Sequence, residues 1–454
     1  MKSLTLEQHR KRIDNMRSAE ERVQKYHKKI KFQNYIPGHV VYNMGDYPAK
    51  VDMAPTEYDH DVLKKLADDG YQWIQWHSDC IDWARCYGGD TFMNGDWEET
   101  QRFIDLAHSF GHKLIPYISP TYFPVTDPDF REDFTNLKCA CPTTAVCLCS
   151  GNLGSASWRE YNYRKTFEVM DRFNFDGIYG DFGYDKFLVK STWVSEPYDK
   201  DDQWLYEPLE YDPVAEDYLG MIYSELKSRG LLYKLHLGAF QPIPVKDKVY
   251  DYLWVGEACK NAKDILHCKD HVPYLVPAFD RNAAQLPDPE TAYVLTIPFG
   301  QFPILYYGRP KGMKNSLKLE GVTYYINPSR SDEVRKYYQS HPDGPYTYSE
   351  WSSIPDDPME YRRSADYLKL YKPMVTDGSV LRMEIRESDL VKSPIPEDVY
   401  ISMFTNEEQY LVVGNVSGEP YTLALDGRWK DRQSGKTGRE FTVENNRLLF
   451  LIQE

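Results

Sequence analysis

The stretch that most constrains the fold is Gly177-Ile178-Tyr179-Gly180-Asp181-Phe182-Gly183. Its first half predicts a short buried strand, and that strand ends on a carboxylate set between glycines. A later apolar run ends in a similar way, on Gly256-Glu257. Because the carboxyl ends of parallel strands meet at one edge of a sheet, the two acids are expected to face a common site.

Eight short apolar runs, mostly separated by helical patterns, extend outward from this stretch. The runs cover residues 39–44, 72–77, 113–118, 176–181, 232–236, 251–255, 273–279 and 302–307. The helical patterns cover residues 58–69, 97–110, 158–173 and 214–229, and several end on a glycine just before the next strand. Alternating strands and helices predict an α/β fold, and eight such units favour a closed (β/α)8 TIM barrel.

A chain of 454 residues exceeds what one hydrophobic core usually serves, so a second domain is expected. Polar helix-like sequence at residues 5–30 predicts a helix docked before the first strand. After a last helix pattern the sequence turns to short strands and turns, which predicts a small β-sandwich. The predicted parts are an N-terminal helical extension (1–35), a catalytic barrel (36–376) with insertions at 184–213 and 308–357, and a C-terminal β-sandwich (377–454).

Composition limits the class of ligand. The formal net charge of −15 argues against nucleic acid and anionic membranes as partners. Aromatic residues make up 15% of the chain, and flat Tyr and Trp rings suit the C–H faces of sugars, although an aromatic-rich core would give the same count. The chain begins without an apolar leader, which predicts a cytoplasmic protein, though a trimmed secreted chain would look the same. The oligomeric state stays open.

Asp181 and Glu257 are the candidate catalytic pair. Hydrolysis of a glycosidic bond needs one carboxyl group to protonate the departing oxygen and a second to attack C1 or activate water. Trp254 could raise the pKa of Glu257 by desolvation, as a general acid requires. The alternatives are a helix cap or ion pair for Asp181 and a structural role for Glu257.

Further residues near strand ends are candidates for binding a sugar. Asp79 and Asp280 could hold hydroxyl groups, and Lys234, His236 and Arg281 could donate hydrogen bonds to hydroxyls or to a nucleophile. The remaining candidates are aromatic or imidazole side chains, namely Trp76, His77, Tyr117, Tyr179 and Trp254. The predicted partner is therefore a carbohydrate or glycoconjugate.

Four cysteines form a cluster, Cys139, Cys141, Cys147 and Cys149, which is compatible with free thiols, a structural zinc or disulfides. Two histidine pairs, His108 with His112 and His267 with His271, lack the glutamate of a zinc protease helix. No phosphate-binding loop is present. The sequence therefore predicts neither a cofactor nor a catalytic metal.

The barrel, the C-terminal β module, the strand ending Asp176-Gly177-Ile178-Tyr179-Gly180-Asp181 and the later acid resemble the retaining α-glycosidases of clan D, the α-galactosidase and α-N-acetylgalactosaminidase superfamily. The resemblance implies Asp181 as nucleophile and Glu257 as acid/base in a retaining exo-α-glycosidase. Two positions differ from that group, which has a lysine at the place of Tyr179 and usually an aspartate as the acid. A transglycosylase, a sugar-rearranging enzyme and a catalytically silent carbohydrate-binding barrel are the alternatives.

Overall fold

The computed structural model describes residues 4–44, 52–77, 97–124, 127–135, 148–181, 211–236, 245–256, 262–271, 274–279, 288–309 and 359–454. The chain divides into two compact units. Unit 1 comprises Met1–Gly38, Cys259–Pro303 and Met359–Glu454, and unit 2 comprises His39–Ala258 and Ile304–Pro358. The predicted insertions at 184–213 and 308–357 lie almost wholly outside the described residues.

Unit 2 is built on parallel strands in chain order. They are β2 (His39–Asn43), β3 (Trp73–Gln75), β4 (Lys113–Ile115), β5 (Tyr117–Ile118), β8 (Gly177–Asp181), β9 (Leu232–His236), β10 (Tyr252–Val255) and β12 (Leu305–Gly308). A short antiparallel pair, β6 (Tyr122–Pro124) and β7 (Leu148–Ser150), follows β5. β4 and β5 are two halves of one predicted strand, divided at Pro116, which has no amide hydrogen to donate.

The pairing of these strands is that of a closing barrel. Hydrogen bonds link β12 to β2, β2 to β3 and β3 to β4, all parallel. They also link β5 to β8, β8 to β9 and β9 to β10, again parallel. The last strand of unit 2 thus pairs with its first, which an open sheet cannot do.

Four helices of unit 2 lie between these strands, within two residues of the predicted patterns: α2 (Glu57–Asp68), α3 (Trp97–Ser109), α4 (Ala156–Arg172) and α5 (Pro213–Ser228). Local chemistry fixes their starts. Thr56 and Asp59 form a capping box for α2, and Asp212 caps α5 ahead of proline at its first position. Gly70, Gly111 and Gly230 leave the helices with φ of 95°, 81° and 74°, the left-handed region that glycine adopts without strain.

A fully buried ion pair ties the carboxyl end of β12 to α2. The Arg309 guanidinium donates to both oxygens of Asp59, at 2.7 Å to Oδ2 from Nη2, and both side chains have no exposed surface. Tyr42 Oη also donates to Asp59, at 2.6 Å. Further bonds from Arg309 reach the carbonyl oxygens of Asp52 and Ala54, so the pair fixes chain beyond the end of β2.

Unit 1 contains an antiparallel sheet with the strand order β1-β13-β14-β15-β18-β16-β17. Its strands are β1 (Val23–Lys31), β13 (Val380–Ser388), β14 (Val399–Thr405), β15 (Gln409–Asn415), β16 (Tyr421–Asp431), β17 (Thr437–Val443) and β18 (Arg447–Gln453). The unit also holds α1 (Leu6–Arg22), β11 (Leu275–Pro277), α6 (Glu290–Val294) and α7 (Glu360–Tyr371). The C-terminal all-β module is therefore confirmed, and its apolar side chains form one buried cluster that includes Leu411, Leu423 and Leu451.

The N-terminal prediction needs a correction. The helix predicted over residues 5–30 ends at Arg22, and Val23–Lys31 is strand β1, which pairs antiparallel with β13. Local sequence misled because the pairing partner lies far along the chain, and tertiary pairing overrides helix periodicity. β1 carries four lysines on the edge of the sheet, a composition that discourages edge-to-edge association.

Candidate active site

Asp181 is the last residue of β8 and lies at its carboxyl end. Side chains alternate along a strand, so Tyr179 and Asp181 share one face and the intervening Gly180 faces the other. A Cβ at Gly180 would lie 2.5 Å from the ring of Tyr233, which explains the glycine beside the acid. The Asp181 side chain is 16% exposed, so it is both accessible and largely desolvated.

Two neighbouring strands hold the carboxylate. Tyr117 Oη donates to Oδ2 at 2.6 Å, and His236 Nδ1 lies 3.0 Å from Oδ1. An ionised carboxylate can only accept, so the Nδ1 atom of His236 carries the proton of this hydrogen bond. Ser119 Oγ donates to the backbone oxygen of Asp181 at 2.8 Å. The strand pairing produces the group directly, because Asp181 is in register with His236 and Tyr117 with Tyr179.

These contacts set the charge of Asp181. Burial alone would raise the pKa of its carboxyl group, but the hydrogen bond and positive charge of His236, with the Tyr117 hydroxyl, outweigh burial and lower that pKa. The carboxylate is therefore ionised at neutral and mildly acidic pH. Each oxygen keeps a further lone pair, so either remains able to accept a proton or attack a carbon.

An aromatic wall surrounds the carboxylate. The His77 ring lies 5.6, 5.5 and 5.3 Å from the rings of Tyr117, Tyr179 and Trp254, and the Tyr179 and Trp254 rings lie 5.0 Å apart. Burial lowers the pKa of His77 to about 4, against the opposing charge of Asp181. His77 is consequently neutral near pH 7, and it contributes a flat imidazole surface rather than a charge.

Lys234 lies one layer deeper on the same face of β9, two residues before His236. Its Nζ atom is 3.4 Å from Nδ1 of His39 and 5.5 Å from the ring centre of Trp254. The side chain is fully buried, and burial holds its pKa well below the usual range. Lys234 thus lies among core side chains of the barrel interior, beside a histidine that the sequence did not single out.

Of the ten predicted binding residues, six lie together around Asp181 or directly beneath it: His77, Tyr117, Tyr179, Lys234, His236 and Trp254. Trp76 is a correction. It faces the opposite side from His77 and packs on Phe103 of α3 and on Phe175, at 5.4 and 5.5 Å, because successive side chains of an extended chain alternate. Asp79, Asp280 and Arg281, with the predicted acid Glu257, lie outside the described residues.

The sequence missed Ser119 and His39, since neither belongs to a local motif. Ser119 follows β5 directly, and a hydroxyl at a strand end is the signal that could have found it. Cys149 falls in β7, whereas Cys139, Cys141 and Cys147 lie outside the described residues. Within the described ranges, no group of three or more His, Cys, Asp or Glu side chains is placed to hold a metal ion, and no helix is both long and apolar enough to cross a bilayer.

No protein-family model matches the chain, and a search of curated proteins gives no match either. Solved structures do resemble it. A noncanonic maltogenic alpha-amylase from Thermotoga neapolitana aligns at a TM-score of 0.54 and 14% identity, over 91% of this chain and 98% of that one. An isomaltulose synthase mutant from Erwinia rhapontici, in complex with D-glucose, gives a TM-score of 0.56 at 12% identity over 92% and 98%.

A variant of an alpha-galactosidase from Geobacillus stearothermophilus, in complex with 1-deoxygalactonojirimycin, gives a TM-score of 0.53 at 10% identity, over 92% of this chain and 56% of that one. At such identities a likeness shows the fold alone. The fold is thus an α/β (β/α)8 barrel with a C-terminal all-β module, as predicted.

Proposed function

We propose that the protein is a glycoside hydrolase, a retaining exo-α-glycosidase in which Asp181 is the nucleophile and Glu257 the acid/base. The observation that carries the proposal is the environment of Asp181, an ionised carboxylate at the carboxyl end of a barrel strand whose oxygens are fixed by Tyr117 and His236. Catalytic residues of barrel enzymes occupy this face.

In the proposed reaction, Asp181 attacks the anomeric carbon and forms a covalent glycosyl-enzyme while a second carboxyl group protonates the departing oxygen. Water then attacks C1, the second group accepts its proton, and Asp181 leaves. Hydrogen bonds from Tyr117 and His236 hold the nucleophile in one orientation, which reduces the reorganisation needed for attack. Gly256 precedes Glu257 at the end of β10, the second strand beyond β8, which places the proposed acid at the same face in the sequence order.

The aromatic and imidazole surfaces of His77, Tyr179 and Trp254 support a sugar as the ligand, since such rings pack on pyranose C–H groups. The known structures of similar fold include enzymes whose names refer to α-glucosides and α-galactosides, which favours an α-linked substrate. The proposed partner is a carbohydrate or glycoconjugate with an α-linked terminal sugar.

A panel of chromogenic α- and β-glycosides, assayed with the native protein and Asp181→Ala, tests the proposal. Native protein should cleave an α-glycoside, and Asp181→Ala should lose activity by several orders of magnitude. Added azide should restore turnover in Asp181→Ala and yield a β-glycosyl azide, because the anion enters the face left open by the missing carboxylate. Near-native turnover in Asp181→Ala without azide would refute the nucleophile role.

A second function is favoured by one contact, the hydrogen bond between His236 Nδ1 and Asp181. In that arrangement a carboxylate orients an imidazole whose Nε2 atom serves as general base for a hydrolytic water. Azide would then fail to rescue Asp181→Ala, and His236→Asn would abolish activity completely. Under the glycosidase proposal, His236→Asn weakens activity but leaves the covalent step intact.

A further inference from the structure

A second concave site lies in unit 2, between the loop from Asp127 to Thr135 and α4. It is a cavity of about 620 Å³, within the size range of small-molecule binding sites. Another side of α4 serves the active site, since Asn162 Nδ2 donates to the carbonyl oxygen of Ser119. No residue that lines the cavity is among the described contacts of Asp181.

Aromatic rings form the base of the cavity. The rings of Phe134 and Tyr161 lie 4.9 Å apart and are buried, and Phe130, which is partly exposed, stacks on Phe123 at 6.0 Å. Tyr161 Oη donates to Asp129 Oδ2 at 3.0 Å, which fixes an acid at the wall. The cavity therefore combines an apolar base with a positioned acceptor.

Lys165 supplies donors that the protein does not use. Its Nζ atom is 3.6 Å from Asp129 and 3.7 Å from Glu168, distances beyond a hydrogen bond, although its side chain is only 11% exposed. Among the described residues, this ammonium group makes no hydrogen bond. An ammonium group in this position keeps its donors for a molecule in the cavity.

Glu160 and Arg164 add an acceptor and donors at the rim. The Arg164 guanidinium lies over the Tyr161 ring at 5.6 Å, and neither side chain makes a hydrogen bond within the part of the chain that the structure describes. Arg131 is held by a bond of 2.7 Å to Asp133. Carboxylates therefore stand beside cations around the same space, and their charges nearly balance.

From this arrangement we propose that the cavity between the 127–135 loop and α4 is a second binding site for a neutral saccharide. Adjacent hydroxyl groups both donate and accept, so they match Lys165 and Arg164 on one side and Glu160 and Asp129 on the other. A small anion fits less well because two carboxylates face the same space. An apolar ligand would leave the buried ammonium of Lys165 without a partner.

The site binds sugar without any step at Asp181, so its test is separate from the test of the proposed reaction. Calorimetric titration of Asp181→Asn protein with maltotriose, with raffinose and with sodium sulfate measures binding in the absence of turnover. We expect saturable binding of at least one of the two sugars, weakened roughly tenfold by Lys165→Met and by Glu160→Gln. Glu132→Gln, an exposed change in the same loop, is the matched control and should leave the affinity unchanged.

Loss of charge at Lys165 could disturb folding, but Glu160 is exposed, so Glu160→Gln alone keeps the test decisive. Sugar affinities that are the same in both cavity variants as in the control overturn the proposal. So does the absence of saturable sugar binding to the folded protein, and so does binding of sulfate alone to the cavity.

Discussion

Asp181 accepts hydrogen bonds at both oxygens, and each donor can be removed singly. Tyr117→Phe deletes the 2.6 Å bond to Oδ2 with no change in the ring. A hydrogen bond to a charged group contributes about 1.5–3 kcal/mol, so kcat/KM should fall roughly 10- to 100-fold if this bond strengthens in the transition state.

The pH profile gives the sign of the same effect. Burial raises the pKa of Asp181, while His236 and Tyr117 lower it, so removal of the hydroxyl moves that pKa upward. The acidic limb of kcat/KM should therefore shift to higher pH in Tyr117→Phe. Tyr58→Phe is the control because it loses a 3.0 Å bond to the carbonyl oxygen of Gly308 instead. An unmoved acidic limb in Tyr117→Phe would contradict the assignment.

His77 makes stability depend on pH. Its folded pKa is about 4, against about 6.5 in an unfolded chain. Between these values the unfolded state binds a proton that the folded state does not, so stability is full above pH 6.5 and falls as pH drops toward 4. The loss from this residue amounts to about 3 kcal/mol.

Denaturant unfolding at pH 7 and pH 4.5 measures this loss. His77→Phe should reduce the difference in unfolding free energy between the two pH values. His60→Gln, whose side chain is 53% exposed on α2, should leave the difference unchanged. Equal pH dependence in native protein and His77→Phe would show that other groups cause the acid sensitivity.

At the scale of elements, β8 approaches β9 so closely that its first residue must be glycine. Gly177 has φ of 153°, and a Cβ there would lie 2.1 Å from the carbonyl oxygen of Leu232. Gly177→Ala should lower the unfolding free energy by about 3 kcal/mol through strain and overpacking. It should also reduce activity, since it displaces the strand that carries Asp181.

Gly220→Ala is the matched control for that change. Gly220 lies within α5, and a Cβ there would meet only the Val249 side chain at 3.8 Å. Alanine favours a helix over glycine by about 1 kcal/mol, so this variant should gain stability. Thermal melting of both variants checks the pair, and a Gly177→Ala protein as stable as the native one would show that β8 and β9 can separate without cost.

Much of the fold could be predicted at this scale because it depends on local periodicity. α4 and β8 begin and end close to their predicted positions, since capping residues and apolar runs mark them. β1 could not be predicted, because its strand character depends on pairing with β13. Trp76 was assigned to the wrong face because Trp76 and His77 are both ring residues, and composition does not fix the phase of an alternating pattern.

At the scale of the whole molecule, the N-terminal segment belongs to the unit that contains the C-terminal sheet. β1 pairs with β13 from Val23 to Lys31, and Ala19 and Val23 lie in the core cluster of that unit. The predicted boundaries at residues 35 and 376 would separate these partners. We therefore propose that the all-β module folds only with residues 4–38 present.

Two fragments test this proposal. Residues 359–454 alone should melt at a lower temperature and with less cooperativity than the same residues mixed with a peptide of residues 4–38. The reason is that the peptide supplies an edge strand and covers apolar surface of the sheet. Identical melting curves with and without the peptide would contradict the proposal.

The site was predictable in its parts but less so in its arrangement. Asp181, Tyr117 and His236 lie at strand ends that the sequence marks, and barrel order makes their strands neighbours. The burial of Lys234 beside His39 depends on the depth of each residue within the barrel, which strand order does not specify.

The claim on which the function depends is that Asp181 forms a covalent bond to the sugar. The direct measurement is mass spectrometry of peptides from protein incubated with the 5-fluoro-α-glycosyl fluorides of glucose and galactose, which slow the release of a glycosyl-enzyme. We expect a glycosyl adduct on the peptide that contains Asp181, absent from Asp181→Asn protein. A protein that hydrolyses an α-glycoside yet carries its adduct on another carboxylate, or none at all, would contradict the account.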